Sequence, residues 1–230
     1  PDRALARRVA AELRRWGIEI DDSAGVPLNK TPPGVFLRLV LDVLAVAAAP
    51  GPLLAALKHP LAAGGLATED FRATLRDLEQ AALRGVRPAP GLRGIADALA
   101  PDRAEERAFL ARLERRLTPL VDGMAARDLP LRDLVAAHIT VAESLAESAE
   151  EPGAARLWRG EAGEAAGQFM AELLAAAEDY PALDGTDYPA LFESLLAGSV
   201  VRPRFGRHPR LAIWGLLEAR LQRADLMVLG

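Results

Sequence analysis

Thr68-Glu-Asp-Phe-Arg-Ala-Thr-Leu-Arg-Asp-Leu78 is where the sequence settles into helix. Thr68 reads as an N-cap, whose hydroxyl can accept one of the backbone N–H groups that the first turn leaves without an intrahelical partner. Glu69 and Asp70 follow in that turn, where negative charge suits the positive end of the helix dipole. Phe71, Leu75 and Leu78 then share one apolar face. Further helices are predicted over 92–99, 102–126, 131–148, 154–178 and 189–196, with prolines and glycines between most of them. No fixed-period repeat is visible, and the helices are too uneven for a solenoid.

Upstream of Thr68, Val35 to Ala49 is apolar and long enough for a buried helix, and Leu53 to Lys58 is a short helix closed by His59-Pro60. Asp2 to Trp16 reads as a helix with Leu5, Val9, Leu13 and Trp16 on one face and arginines on the other. Gly17 can end it, and Ile18-Glu-Ile20 alternates like a short strand before a loop over 21–33. After Gly198 the stretch from Val200 to Arg210 is basic and irregular. Leu211 to Trp214 and Leu226 to Leu229 then read as two short buried strands. The expected fold class is therefore mainly α, with a small parallel β-sheet formed by the two chain ends and a helical body inserted between them. Pro1 in place of Met, and a strand at Leu226–Leu229 with no loop after it, lead us to expect a piece of a longer protein.

Half of the 230 residues are hydrophobic and only 5% are aromatic, while Ala, Leu and Arg recur. Those three lose little rotamer freedom in a helix, so the mixture favours that state. The 28 basic and 32 acidic side chains leave a net charge of −4, against a basic surface over the whole chain but not against a local basic stripe. The absence of cysteine excludes disulfides, thiol catalysis and cysteine-based zinc sites, and a cytoplasmic location is expected. The longest apolar runs, such as Val43 to Ala49, are too short to span a membrane.

The motifs of phosphate-loop, dinucleotide and nucleophile-elbow sites are absent. His59, His138 and His208 have no second ligand at a metal-type spacing, so neither a metal site nor a catalytic residue is expected. A hydrogen-bonded structural role outweighs a catalytic one for each, because acid–base work needs a positioned partner. Glu143 and Glu147 lie on one helical face and read, with Glu150 and Glu151, as a solvated surface. Lys30 and Lys58, the only lysines, do not sit in a nuclease-like context. The concentrated basic feature is Arg202-Pro-Arg-Phe-Gly-Arg-His-Pro-Arg210. Arg202, Arg204, Arg207 and Arg210 could contact phosphates, with Phe205 stacking on a base. The competing reading is a solvated loop whose arginines pair with nearby carboxylates.

Two stretches carry a resemblance to a known family. One runs from Arg15-Trp-Gly-Ile-Glu-Ile-Asp-Asp-Ser-Ala-Gly through Val-Pro-Leu-Asn-Lys-Thr-Pro-Pro-Gly-Val-Phe-Leu37. The other is Val201-Arg-Pro-Arg-Phe-Gly-Arg-His-Pro-Arg-Leu-Ala-Ile-Trp-Gly-Leu-Leu-Glu-Ala-Arg-Leu221, continuing to Asp225-Leu-Met-Val-Leu-Gly230. Together they resemble the AddB family, the helicase-like nuclease subunits of bacterial double-strand-break repair complexes, related to UvrD and RecB helicases. The resemblance runs in order along the whole chain, with the helical middle matched only loosely. It implies that 1–34 flank a RecA-like motor domain, that 35–198 are a helical insertion domain, and that 199–230 return to the motor domain as a basic loop and two strands.

Active relatives write a K-G-L-E-F motif after a strand. Glu218 stands at its glutamate and Leu217 at its leucine, while Leu216 replaces the glycine and Gly215 the lysine. The resemblance thus implies a degenerate helicase motif in a non-catalytic segment of a parent enzyme that uses ATP and Mg2+, with no cofactor held here. It also implies single- and double-stranded DNA and an AddA-type helicase subunit as partners. A simpler reading of Gly215–Leu221 is a turn between two strands, with Glu218 and Arg220 solvated. The functional expectation is a scaffold and DNA-channel segment acting in double-strand-break repair. The alternative is a helical protein–protein interaction module without nucleic-acid contact.

Overall fold

The computed structural model describes residues 3–202, 208, 210–220, 222–223, 225 and 226. In chain order the elements are α1 (Arg3–Arg15), β1 (Asp21–Asp22), β2 (Val26–Pro27), a 3-10 turn (Leu28–Lys30), α2 (Pro32–Ala45), α3 (Pro50–Leu57), α4 (Thr68–Leu78) and a π turn (Glu79–Leu83). There follow α5 (Gly91–Asp97), α6 (Ala104–Ala125), α7 (Leu131–Ala146), α8 (Gly153–Leu157), α9 (Gly160–Ala176), a 3-10 turn (Gly185–Asp187), α10 (Tyr188–Gly198), β3 (Val200–Val201), β4 (Ala212–Ile213) and α11 (Leu216–Ala219). The chain is mainly helical, and among the described residues no helix is long and apolar enough to cross a membrane.

The chain divides into two compact units, Leu28–Ser199 and a terminal unit made of Pro1–Pro27 with Val200–Gly230. The boundaries fall at 27/28 and 199/200, against 34/35 and 198/199 from sequence. The first moves because Leu28 is buried and Thr31, which accepts Gly34 N–H as the N-cap of α2, belongs with the helix that it starts. Gly34 is obligatory there, since a Cβ would stand 2.0 Å from the Leu28 carbonyl oxygen.

Leu28–Ser199 is built round apolar side chains from α2, α3, α4, α6, α7 and α10. Phe36, Leu53, Phe71, Leu110, Val141 and Phe192 are among those fully buried. Burial of such side chains drives folding at roughly 1.5–3 kcal/mol each. Arginines close several helix ends from a neighbouring element, because a planar fork can meet carbonyls that have no intrahelical partner. Arg72 of α4 donates to Leu57 O at 3.0 Å and His59 O at 2.6 Å beyond α3. Arg107 donates to Leu99 O at 2.6 Å, Arg116 to Ser144 O near the end of α7, and Arg156 to Ala146 O, the last residue of that helix.

Several local expectations are corrected. Thr68 lies inside α4, whose N-cap position is Ala67 with no side-chain cap bond. The helix expected over 154–178 is two, α8 and α9, parted at Gly160 with a φ of 69°. The carboxylates taken as a solvated face are engaged: Glu143 accepts Trp158 Nε1–H at 2.6 Å and Glu147 accepts Arg116 at 2.8 Å.

In the terminal unit the strand expected at Ile18–Ile20 forms no ladder, and pairing falls one step later and is short. β1 runs parallel to β4 over Asp21↔Ala212 and Asp22↔Ile213, and β2 runs antiparallel to β3 over Val26↔Val201 and Pro27↔Val200. Two-residue ladders do not make the parallel sheet that the sequence led us to expect. The reason is the turn between β1 and β2. Asp22 Oδ1 accepts Ala24 N–H at 3.0 Å, and Gly25 takes a φ of 65°. A Cβ on Gly25 would stand 2.4 Å from Val201 O, so only glycine lets β3 approach. Of the strand expected over 226–229, Leu226 is exposed coil and the rest lies outside the described residues.

Candidate functional site

The described residues of the basic stretch and of the segment Gly215–Glu218 belong to the terminal unit. β4 carries the chain to Gly215, which starts the single turn α11. Gly215 N–H faces Glu218 Oε2 at 2.9 Å and Ser23 Oγ at 3.2 Å. Glu218 is the third residue of α11 and reaches back to the N–H of its N-cap, the returning half of a capping box. Ser23 is held in turn by its own N–H, which donates to Ile213 O at 3.0 Å and prolongs the β1–β4 ladder.

This setting acts on the Glu218 carboxyl, whose pKa lies below its ordinary value. The Ser23 hydroxyl contributes most, Gly215 N–H next, and the positive charge of Arg202 acts in the same direction against desolvation. Glu218 is therefore an exposed, ionised hydrogen-bond acceptor at neutral pH. Its geometry suits anchoring a loop to a helix start. Leu217 is exposed and Gly215 half-buried, so neither packs against a core.

Arg202 and Arg210 are exposed, and Arg210 N–H donates to His208 Nδ1 at 3.2 Å. Arg204, Phe205 and Arg207 lie outside the described residues. The histidines divide by role. His59 Nδ1 accepts Leu61 N–H at 3.3 Å across Pro60, and its pKa is lowered by burial and then by Arg72. His138 is wholly buried between Tyr188 OH at 3.0 Å from Nδ1 and Leu37 O at 3.0 Å from Nε2. A neutral ring meets both, with Nε2–H donating to the carbonyl and Nδ1 accepting the phenol proton. Burial lowers its pKa to about 4 against the Leu37 carbonyl, which raises it. It is a core histidine. Among the described residues no three His, Asp or Glu side chains are grouped as a metal would need.

Sequence reasoning missed Ser23. It lies inside the first quoted stretch, but nothing local marks it, because its partners are Ile213, Gly215 and Glu218 at the other end of the chain. No protein-family model matches this chain, and no curated protein or solved structure matches it either.

Proposed function

We propose that this chain is a non-catalytic scaffold and DNA-channel segment of an AddB-like helicase–nuclease subunit acting in double-strand-break repair. The observation that supports the reading best is the one compact unit formed by Pro1–Pro27 with Val200–Gly230, although all of Leu28–Ser199 separates them in sequence. A motor-domain fragment carrying a helical insertion would have this organisation. The Ser23–Gly215–Glu218 contacts tie the two quoted stretches together at the eroded motif. On this reading the ATP and Mg2+ chemistry belongs to the parent enzyme outside this chain. Arg202, Arg204, Arg207 and Arg210 hold the phosphate backbone of DNA, with Phe205 against a base and an AddA-type subunit as protein partner.

Fluorescence anisotropy of a labelled single-stranded oligonucleotide, titrated with the chain at two salt concentrations, tests it. The expected result is binding whose log–log salt dependence has a slope of about −0.7 for each phosphate contact, weakened in an Arg204→Ala/Arg207→Ala variant. Absence of binding at low salt would sink the DNA-channel role and favour the helical protein–protein interaction module.

A further inference from the structure

Between α6 and α7 lies an open groove of about 290 Å3, lined by Arg112, Arg115, Arg116, Pro119, Thr140 and Ser144. Arg116 is already committed, donating to the Ser144 carbonyl, to Ser144 Oγ at 2.7 Å and to Glu147 at 2.8 Å. Arg112 and Arg115 differ. The residues three and four positions away are Ala108, Phe109, Arg115 and Arg116 for Arg112, and Ala111, Arg112, Thr118 and Pro119 for Arg115. No carboxylate is among them, and among the described residues neither guanidinium makes an ion pair. Three like charges thus share one helix face at spacings that repel. Other arginines of the chain meet a carboxylate from these spacings, as Arg103 does with Glu106 and Arg38 with Asp42.

We propose that this groove is a phosphate-ester site. Arg112 and Arg115 supply the charge as forks that match phosphate oxygens. Ser144 adds a neutral donor: its oxygen accepts from Arg116, which leaves its O–H to point at the ligand. Thr140 is a wall, since its hydroxyl donates to Ala136 O at 2.9 Å. Pro119 shapes the floor, because it lacks the N–H that Arg115 O would otherwise accept inside α6. None of the six lining residues is aromatic, so recognition stops at the phosphate. The phosphate comes from a nucleic-acid strand or from a small phosphorylated molecule. The proposal uses no residue of 202–210 and goes beyond the channel reading.

The test compares the whole chain with Arg112→Gln/Arg115→Gln and with Arg204→Ala/Arg207→Ala, folding being checked by circular dichroism. One probe is inorganic phosphate exchanged for chloride at fixed ionic strength, read as a shift in Tm. The other is a labelled oligothymidylate, read by anisotropy at two salt concentrations. In wild type, phosphate is expected to raise Tm. The glutamine variant loses that response while melting at or above the wild-type temperature, because the repulsion is gone. If the variant also binds oligothymidylate about 10-fold more weakly, with a salt slope shallower by about 1.4, the source is a strand. If only the phosphate response is lost, the source is a small phosphorylated molecule. Wild-type behaviour of the glutamine variant toward both probes overturns the site. Loss in the alanine variant alone then leaves the 202–210 reading standing, whereas loss in the glutamine variant alone supports the groove and removes that loop from DNA binding.

Discussion

Between Leu28 and Ser199, Arg72, Arg107, Arg116 and Arg156 each reach a main-chain carbonyl at or near a helix end, whereas Arg202 and Arg210 of the terminal unit are exposed. Among the described residues, the largest fully buried side chains lie in the first region. Phe36, Phe71, Tyr188 and Phe192 are fully buried in the first region, while Trp16, Leu217 and Leu226 in the second are 80%, 76% and 80% exposed. One residue type thus serves two ends, and the burial around it decides which. These four arginines of the helical body hold the fold, so their presence there is no sign of nucleic acid, unlike Arg112 and Arg115, which make no ion pair among the described residues. In the terminal unit Ser23, Gly215 and Glu218 stand beside a thin scaffold of two-residue ladders.

The comparison breaks most readily on its largest expected effect. Phe192→Ala should destabilise the chain by about 3–5 kcal/mol, because it empties a site packed against His138, Phe169 and Tyr188. Leu217→Ala should change stability by no more than about 0.5 kcal/mol. Urea titration of both variants decides it, and a similar loss in each would show that the terminal unit shares the body's core.

A smaller effect comes from His138. Folded, its ring stays neutral down to about pH 4, while in the unfolded chain it protonates near the ordinary 6.5. Between those values the unfolded state binds the extra proton, so stability falls as pH drops through that window. The loss from pH 7 to pH 5 is about 2 kcal/mol, and His138→Gln should remove this dependence. An unchanged pH slope in that variant would assign acid sensitivity elsewhere.

The smallest effect sharpens the picture of the terminal unit. Glu218→Ala removes the acceptor of Gly215 N–H and of the Ser23 hydroxyl. Amide exchange at 215–219 should then quicken while the amides of α7 and α10 keep their protection, as hydrogen-exchange mass spectrometry would show. Faster exchange throughout would contradict independent stability of the body.

Much of the helical body was legible. Phe71, Leu75 and Leu78 share the buried face that their spacing implied, and His138 has the hydrogen-bonded structural role expected of it, in a buried position that the structure added. Errors gathered at helix ends. Thr68 has the side chain of a cap, but the helix starts one residue earlier, and Gly160 breaks a run whose apolar period continues across it. At the candidate site composition singled out the arginines of 202–210 as an expectation, and no pattern could mark Ser23.

What the sequence by itself determined is what depends on near neighbours: which segments are helical, which face of each is apolar, and where glycine and proline interrupt them. Only the tertiary structure decided the long-range partnerships, namely Ser23 with Glu218, Arg116 with Ser144 and Glu147, and His138 between Leu37 and Tyr188. The physical reason is that helical periodicity arises from backbone geometry repeating every few residues. A hydrogen bond between distant side chains depends instead on the path of all the chain between them.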